Sequence, residues 1–159
     1  MTKANHYASE GSRSITPHLV VKGAKQAIEY YKKAFGAKER GVMAGPDGMV
    51  MHAELQIGDS VFYLNDENIE RGAKSPQALG GTPVTINLYV PDCDVIYKQA
   101  LAAGATVKMP LEDQFWGDRY GQVADPFGHV WSIATHKEDL TEAEIWERAK
   151  KAMAPTGQG

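Results

Sequence analysis

Apolar and polar residues follow two different periods along this chain. Ile15–Val21 is a short run of strand-forming residues, and Gly23 ends it. From Ala24 to Phe35 the apolar residues recur at helical spacing with charged residues opposite, which predicts an amphipathic helix that Gly36 ends. Strand patterns separated by turn-forming residues follow at Glu39–Ala44, Val50–Ile57 and Ser60–Asn65.

The same order of elements returns in the second half of the chain. Thr85 follows Thr16 by 69 positions, and Gly104 follows Gly36 by 68. The repeat predicts a strand, a helix and three strands at Val84–Val90, Asp94–Ala103, Thr106–Met109, Tyr120–Ala124 and His129–Thr135. Two such units bury their sheets together. We therefore predict one α+β domain of two β-α-β-β-β modules, residues 14–69 and 83–138, with a ligand groove between them.

Three segments lie outside the repeat. Residues 1–13 are polar and predict a flexible tail, and residues 70–82 predict an exposed, mobile linker. Residues 139–154 contain a predicted helix from Thr141 to Met153, in which Thr141 and Glu144 form a capping box. The apolar stripe of this helix includes Trp146, and the sequence leaves open whether it packs on its own sheet or on a partner subunit.

Composition narrows the possible functions. The 159 residues carry a net charge of −3, which does not provide the basic surface expected for binding nucleic acid or an anionic membrane. Cys93 is the only cysteine, so an intrachain disulfide is excluded and a reducing, cytoplasmic location is expected. No apolar run approaches the ~20 residues that span a bilayer, and the N-terminus lacks the apolar core of a secretory signal.

Four features together resemble the vicinal oxygen chelate superfamily, which includes glyoxalase I, bleomycin resistance proteins and extradiol dioxygenases. They are the paired modules and the runs AIEYYKKAFGA, MHAELQIGDSVFYLND and FWGDRYGQVADPFGHVWSIATH. The PhnB-like branch is the most similar. The resemblance covers residues 14–138 and implies an open, U-shaped mixed sheet with the ligand on its concave side, and a homodimer. It leaves the activity open, because this fold supports isomerases, lyases, dioxygenases and binding proteins.

The resemblance also implies where a metal would bind. Metal-dependent members place histidine, glutamine or glutamate on the first and fourth strands of each module, and the repeat places Thr16, Tyr63, Thr85 and Ser132 there. Neutral hydroxyl groups bind a divalent cation weakly, so no cofactor is predicted and a divalent metal is disfavoured. An alignment shifted by two residues selects His18 and Asn87 on the same strand faces, which is half of a metal site at best.

His52 and Glu54 are the candidate catalytic residues. Their spacing places both side chains on one face of a strand, where they would form a general base with its orienting carboxylate, or two metal ligands. The alternative, which we favour, is a solvent-facing strand side opposite Ala53, Leu55 and Ile57.

A glycine-flanked loop provides a second set of candidates. Trp116 would stack on a planar ligand and Arg119 would bind an anionic group, with the loop as a lid. In the alternative, Asp118 pairs with Arg119 and Trp116 fills the core. The sequence does not separate the two.

The strand faces supply the remaining candidates. Alternation places His18, Tyr63, Asn87, Tyr89 and Ser132 on the concave side, as a polar and aromatic lining for an organic ligand. For His129 and His136, ordinary hairpin and strand-end positions are expected, although His129 would also be able to reach the groove. Cys93 at a helix start is expected to pack rather than react.

Two functions follow. The first is binding of a small organic ligand between the modules without the usual metal, as in bleomycin resistance proteins. The alternative is a metal-dependent lyase or isomerase of glyoxalase type, with displaced ligands drawn from His18, His52, Glu54 or His129.

Overall fold

Each half of the chain folds into a four-stranded mixed sheet with one helix against it. The computed structural model describes residue 4 and residues 6–154. The first module comprises β1 (His18–Val21), α1 (Ala24–Phe35), β2 (Lys38–Ala44), β3 (Val50–Ile57) and β4 (Ser60–Asp66). A 3₁₀ turn (Ile69–Arg71) and the short helix α2 (Pro76–Leu79) lead to β5 (Thr85–Tyr89), α3 (Cys93–Ala102), β6 (Thr106–Asp113), β7 (Asp118–Ala124), β8 (Val130–His136) and α4 (Glu142–Met153).

The two sheets have the same strand order, β1-β4-β3-β2 and β5-β8-β7-β6. In each sheet the first strand runs parallel to the fourth, and the other pairs are antiparallel. The predicted α+β architecture of two β-α-β-β-β modules is therefore confirmed. β1 and β5 are edge strands within their own sheets, and each pairs with one neighbour.

Local sequence signals account for the helix ends. Gly36 adopts a φ of 66° after α1, a left-handed conformation that glycine tolerates without steric cost. The Asp92 carboxylate accepts a hydrogen bond from the Val95 amide, so α3 begins at Cys93, one residue before the predicted start. The capping box of Thr141 and Glu144 is present at the start of α4, as predicted.

Two strands differ from their predicted bounds by three or more residues at one end, whereas the others differ by two or fewer. β1 begins at His18 rather than Ile15, three residues later than predicted. Pro17 precedes the strand; it has no N–H, and its carbonyl accepts from the Tyr63 amide. β6 extends to Asp113, beyond the predicted end at Met109, because an irregular register between Met109 and Glu112 carries the strand past Pro110.

The segment 70–82, predicted as an exposed linker, instead contains regular structure and two buried residues. Ser75 and Pro76 are buried. The Ser75 hydroxyl donates to Glu67 at 2.5 Å and accepts from the Ala78 amide, which starts α2. A serine cap followed by proline is a helix-start signal that the composition of this segment obscured.

The modules share one aromatic core. Trp131 of β8 lies with its ring centroid 4.7 Å from that of Phe35 and 5.8 Å from that of Phe62, both in the first module. The Tyr31 hydroxyl donates to the Asp125 carboxylate at 2.6 Å. Asp125 also accepts from the Trp131 indole at 2.9 Å. Helices α1 and α3 pack against each other above the sheets. The two halves are therefore joined by side chains and by the connecting segment.

Helix α4 keeps most of its apolar stripe in solvent. Ala149 is buried, but Trp146 is 59% exposed and Met153 is 68% exposed. The fold therefore does not show Trp146 packed on its own sheet, which was one of the two alternatives that the sequence left open. No helix within the described residues has the length and apolar character needed to cross a membrane.

Part of the predicted N-terminal tail lies against the first module. The Ser12 hydroxyl is 2.6 Å from the Tyr63 hydroxyl, and Arg40 donates to the Glu10 carbonyl at 2.8 Å. Residues 1–3 and 5 of this predicted tail lie outside the described residues.

Candidate ligand-binding site

A cleft of about 640 Å³ lies between the modules, and we call it the inter-module cleft. One wall comes from α1 and the β3–β4 turn of the first module, and the other from β5 and β8 of the second. Its lining residues are Arg13, Ile15, Pro17, Phe35, residues 57–62, residues 86–91 and Trp131. The β5 strand contributes residues from both of its faces, since its free edge borders the cleft.

The wall of the inter-module cleft is mainly apolar. Phe35, Phe62 and Trp131 are each no more than 5% exposed and hold one another in place by ring contacts. Ile86 and Leu88 face them from β5. A rigid apolar wall of this kind binds by excluding water from the ligand.

Polar groups line the same cleft. Arg13 supplies a cation and Asp59 an anion. Asn87 lies on β5, and its side-chain oxygen accepts from the Ser132 hydroxyl at 2.6 Å. That contact leaves the Asn87 amide group available as a donor. The cleft therefore combines a large apolar surface with polar groups able to orient a ligand.

The predicted metal positions are best judged from the strand registers. Opposite Tyr63 on β1 lies His18, and opposite Ser132 on β5 lies Asn87. Thr85 pairs with Val130, and Thr16 precedes β1. The neighbours of Tyr63 and Ser132 are therefore His18 and Asn87, which the alignment shifted by two residues selects, and not Thr16 and Thr85.

These four side chains do not fit a divalent cation. They offer an imidazole, a phenol, an amide and a hydroxyl, with no carboxylate among them. His18 Nε2 contacts the Asn65 side-chain oxygen at 2.7 Å, and Asn65 donates its amide to the Asp66 carbonyl, so Nε2 carries the proton. Ser132 is 1% exposed and donates to Asn87. Within the described part of the chain, no three histidine, cysteine, aspartate or glutamate side chains are grouped to hold a metal.

His52 and Glu54 lie on the open face of β3, with His18 and Tyr63 beside them. His52 Nε2 is 3.4 Å from Glu54, whose carboxylate is 3.9 Å from the Arg40 guanidinium. The His52 ring is 4.9 Å from that of Tyr63 and 6.1 Å from that of His18. The structure thus brings both candidate catalytic residues together with two predicted ligand residues, on a partly exposed surface outside the inter-module cleft.

Trp116 and Tyr89 converge on the carboxylate of Asp118. The Tyr89 hydroxyl donates at 2.8 Å, the Trp116 indole at 3.2 Å and His136 Nδ1 at 2.7 Å. Burial by itself would raise the pKa of Asp118, but the three hydrogen bonds outweigh it and lower that pKa. The hydrogen bond that Tyr89 donates to Asp118 raises the pKa of Tyr89. Asp118 is thus a buried anchor, a role that the sequence did not indicate.

Arg119 points to the helix side of β7, away from the inter-module cleft. Its guanidinium makes two hydrogen bonds to Asp94, at 2.7 and 2.8 Å, and one to Asp113 at 3.2 Å. These bonds raise the pKa of Arg119. The alternative in which Asp118 pairs with Arg119 is therefore not what the structure shows, because consecutive residues of a strand face opposite sides. Cys93 is buried at the start of α3, as expected.

His129 is held by the first module. Its Nε2 lies 2.9 Å from the Val20 carbonyl, which can only accept, so Nε2 carries a proton and is not available to a metal. His18 and His129 both line a smaller cavity of about 280 Å³ beneath α2.

Of the predicted ligand residues, Asn87 and Tyr89 line the inter-module cleft. His18 and Tyr63 lie with His52, whereas Trp116 lies with Asp118, and Arg119 with Asp94. The sequence missed Phe35, Phe62, Ile86 and Trp131, because their periodicity is that of core residues and the core opens at this point. No local signal distinguishes a core residue from a cleft wall.

Comparison with known proteins agrees with the fold and the repeat. The sequence model of the Glyoxalase/Bleomycin resistance protein/Dioxygenase superfamily matches residues 3–133. Protein Mb0911c of Mycobacterium bovis is 50% identical over 149 residues, which cover 92% of this chain and 95% of that protein.

Two solved structures extend the comparison. The At5g48480 gene product of Arabidopsis thaliana is 30% identical with a TM-score of 0.63, over 77% of this chain and 98% of that one. A PhnB protein of Bacillus cereus is 18% identical with a TM-score of 0.58, over 77% of this chain and 99% of that one, and supports the fold alone. The predicted superfamily is confirmed, with a PhnB protein among the structural neighbours.

Proposed function

We propose that this chain, which belongs to the Glyoxalase/Bleomycin resistance protein/Dioxygenase superfamily, binds a small and largely apolar organic ligand in the inter-module cleft. The observation that carries the proposal is the apolar wall of a cleft of about 640 Å³. Ligand sites of soluble proteins are typically clefts of roughly 300–1,000 Å³ with mainly apolar walls and a few polar groups.

The wall favours a ligand with a flat aromatic portion. Phe35, Phe62 and Trp131 are fixed by mutual packing, so they lose little conformational entropy when a ligand contacts them. Arg13, Asp59 and Asn87 would orient its polar substituents. The unpaired edge of β5 adds backbone donors and acceptors along the cleft.

Binding without a resident divalent metal is part of the proposal. The side chains at the paired positions of the first and fourth strands are His18, Tyr63, Asn87 and Ser132, and they supply no negative charge to offset dehydration of a cation. In His18 the Nε2 position carries a proton, and Ser132 is buried and engaged with Asn87. The chemistry of these donors therefore supports binding without a divalent metal.

Blocking the cleft tests the proposal. Ser60 lies on an exposed turn that lines the inter-module cleft, so Ser60→Trp would occlude it without disturbing the core. Val95 is 54% exposed on α3, outside the cleft, and Val95→Trp is the matched control. Both proteins and the wild type are screened against aromatic compounds by thermal denaturation, with calorimetry for each compound that binds.

We expect compounds that raise the melting temperature of the wild type and of Val95→Trp but not of Ser60→Trp. A ligand at 100 times its dissociation constant adds about 2.7 kcal/mol to the stability of the native state. Equal stabilisation of both variants would place the ligand elsewhere. A screen with no stabilising compound, together with stoichiometric bound metal, would reject the proposal.

One observation favours the alternative, a metal-dependent lyase or isomerase. His18, His52 and Glu54 lie together on the open face of the first module, although not in a metal-binding arrangement. Bound zinc, nickel, iron and manganese are measured per chain after purification without chelator. Stoichiometric metal that is lost in His52→Ala but kept in His129→Ala would support this alternative.

A further inference from the structure

His136 lies between two carboxylates. Its Nδ1 is 2.7 Å from Asp118 Oδ1, and its Nε2 is 3.0 Å from Asp139 Oδ1. A carboxylate oxygen accepts hydrogen bonds and does not donate them while ionised. Both ring nitrogens must therefore carry protons for the two contacts to exist together.

Only the imidazolium form of His136 satisfies this geometry. A neutral imidazole has one N–H and one lone pair, so one nitrogen would point its lone pair at a carboxylate. The buried Asp118, which is 5% exposed and held by Tyr89 and Trp116, is the fixed partner. Asp139 is fully exposed on the connection to α4 and is the partner that can move away.

The connection between β8 and α4 depends on few other contacts. The amides of Lys137 and Glu138 donate to the Gly117 carbonyl at 2.9 and 3.0 Å. Glu138 forms a two-fold ion pair with Arg148 of α4, at 2.7 and 3.0 Å. Most of the apolar stripe of α4 is exposed and Ala149 is its buried residue, so the position of this helix depends on Ala149 and on residues 137–141.

We propose that His136 is a pH-dependent latch, which in its protonated form holds residues 137–141 and α4 against the second module. When Nε2 loses its proton, the hydrogen bond to Asp139 is broken. Nδ1 keeps its proton and still donates to Asp118. The titratable groups that face His136 are Asp118 on β7 and Asp139 on the connection to α4. Tyr89 on β5 donates a hydrogen bond to the same Asp118 carboxylate.

The direction of the pH dependence follows from linkage. The hydrogen bonds to Asp118 and then to Asp139 raise the pKa of His136 above its ordinary value of 6.5. The bond to Asp118 is kept in both forms, so only the bond to Asp139 raises the pKa of His136 in the latched form above that in the unlatched form. This difference stabilises the latched form at pH values below the pKa of the unlatched form. The stabilisation is lost as the pH rises through the raised pKa. The pKa of Asp118 is lowered, so this carboxylate stays charged across that range.

Hydrogen exchange of the amides in α4 tests the latch. Exchange is followed by mass spectrometry from about pH 5.5 to about pH 9 and corrected for the intrinsic rate at each pH. We expect the protection of α4 to fall by about tenfold for each unit by which latching raises the pKa of His136. Helix α1, in the other module, serves as the internal control and keeps its protection.

Two variants separate the latch from a general effect of pH. In Asp139→Asn the side-chain amide can donate to a neutral Nε2 or accept from a protonated one, so the protection of α4 becomes independent of pH. His136→Gln carries no titrating group, so α4 exchanges rapidly at both ends of the pH range. His136 is exposed, so both variants are expected to fold.

The proposal is overturned if wild-type α4 is equally protected across the range. It is also overturned if His136→Gln keeps the wild-type pH dependence, because another group would then control α4. A wild-type pH dependence in Asp139→Asn would show that the contact at Nε2 plays no part.

Discussion

Asp66 and Thr135, which are 69 positions apart, perform the same task at the ends of β4 and β8. The Asp66 carboxylate accepts from the amides of Gly23 and Ala24 at the start of α1, at 3.1 and 2.7 Å. The Thr135 hydroxyl accepts from the amide of Cys93 at the start of α3, at 2.9 Å. In both modules the last strand therefore caps the helix, although the residue types differ.

Removing the two caps should have unequal costs. Asp66 also accepts from the Val50 amide at 2.8 Å, so Asp66→Ala leaves three backbone donors without this acceptor. We expect a loss of about 2–4 kcal/mol in the free energy of unfolding, against about 1 kcal/mol for Thr135→Val. Urea denaturation of both variants measures the difference. Equal losses would mean that water replaces the Asp66 carboxylate.

The Tyr31 hydroxyl should contribute to the joint between the modules. Burial first, and then the charge of Asp125, raise the pKa of Tyr31 well above its ordinary value, so the phenol stays a donor. Tyr31→Phe should lower the free energy of unfolding by about 1–2 kcal/mol. The control is Tyr30→Phe, because the Tyr30 hydroxyl lies 3.4 Å from the Ala100 carbonyl and makes a weaker bond. A larger loss for Tyr30→Phe would contradict this assignment.

Trp116→Ala should leave ligand affinity unchanged and lower stability. Trp116 packs against Phe115 and Tyr120 and donates to Asp118, outside the inter-module cleft. We expect a loss of about 1–3 kcal/mol in the free energy of unfolding. The dissociation constant of any cleft ligand should change by less than about twofold. A large loss of affinity at unchanged stability would restore the lid hypothesis.

Asp118→Asn should lower the pKa of His136. The hydrogen bond to the Asp118 carboxylate is the largest cause of the raised pKa, and an amide oxygen carries no charge to hold the imidazolium. Titration of the His136 ring by NMR, in the wild type and in the variant, measures the change. An unchanged pKa would show that Asp139 alone sets it.

A homodimer remains a prediction, and the exposed stripe of α4 offers a test. Sedimentation should give a species of twice the 17.4 kDa chain mass. Trp146→Glu should shift the population towards monomer if α4 contributes to the interface, since a charge there would be buried. Val95→Glu, at a similarly exposed position, is the control. A wild type that sediments as a monomer at micromolar concentration would contradict the prediction.

The repeat made the fold predictable. Each half has a strand pattern, a glycine-terminated helix and three further strand patterns, and these local signals agree with the global arrangement. The errors occur where local signals compete. Ser75 and Pro76 form a helix start inside a segment rich in turn formers, and Pro110 lies inside a strand that a local register shift allows to continue.

The site was less predictable than the fold. Alternation put His18 and Asn87 on the same strand faces as Thr16 and Thr85, but the repeat selected Thr16 and Thr85, two residues before the ones that pair with Tyr63 and Ser132. It did not show which strand faces border a cleft, since that depends on how the modules pack. Arg119 and Asp118 are neighbours in sequence and point to opposite sides, so their partners, Asp94 and His136, come from other elements.

Within residues 4 and 6–154, no backbone ladder joins the first sheet to the second. The relative orientation of the halves is therefore set by side-chain packing and by the connecting segment, and Tyr31, Trp131 and His129 are among the side chains that contact the other half. Substitutions at such positions can tilt one half against the other while each keeps its own backbone hydrogen bonds. Evolution of a chain of this kind can thus change the width of the inter-module cleft without altering the fold of either module.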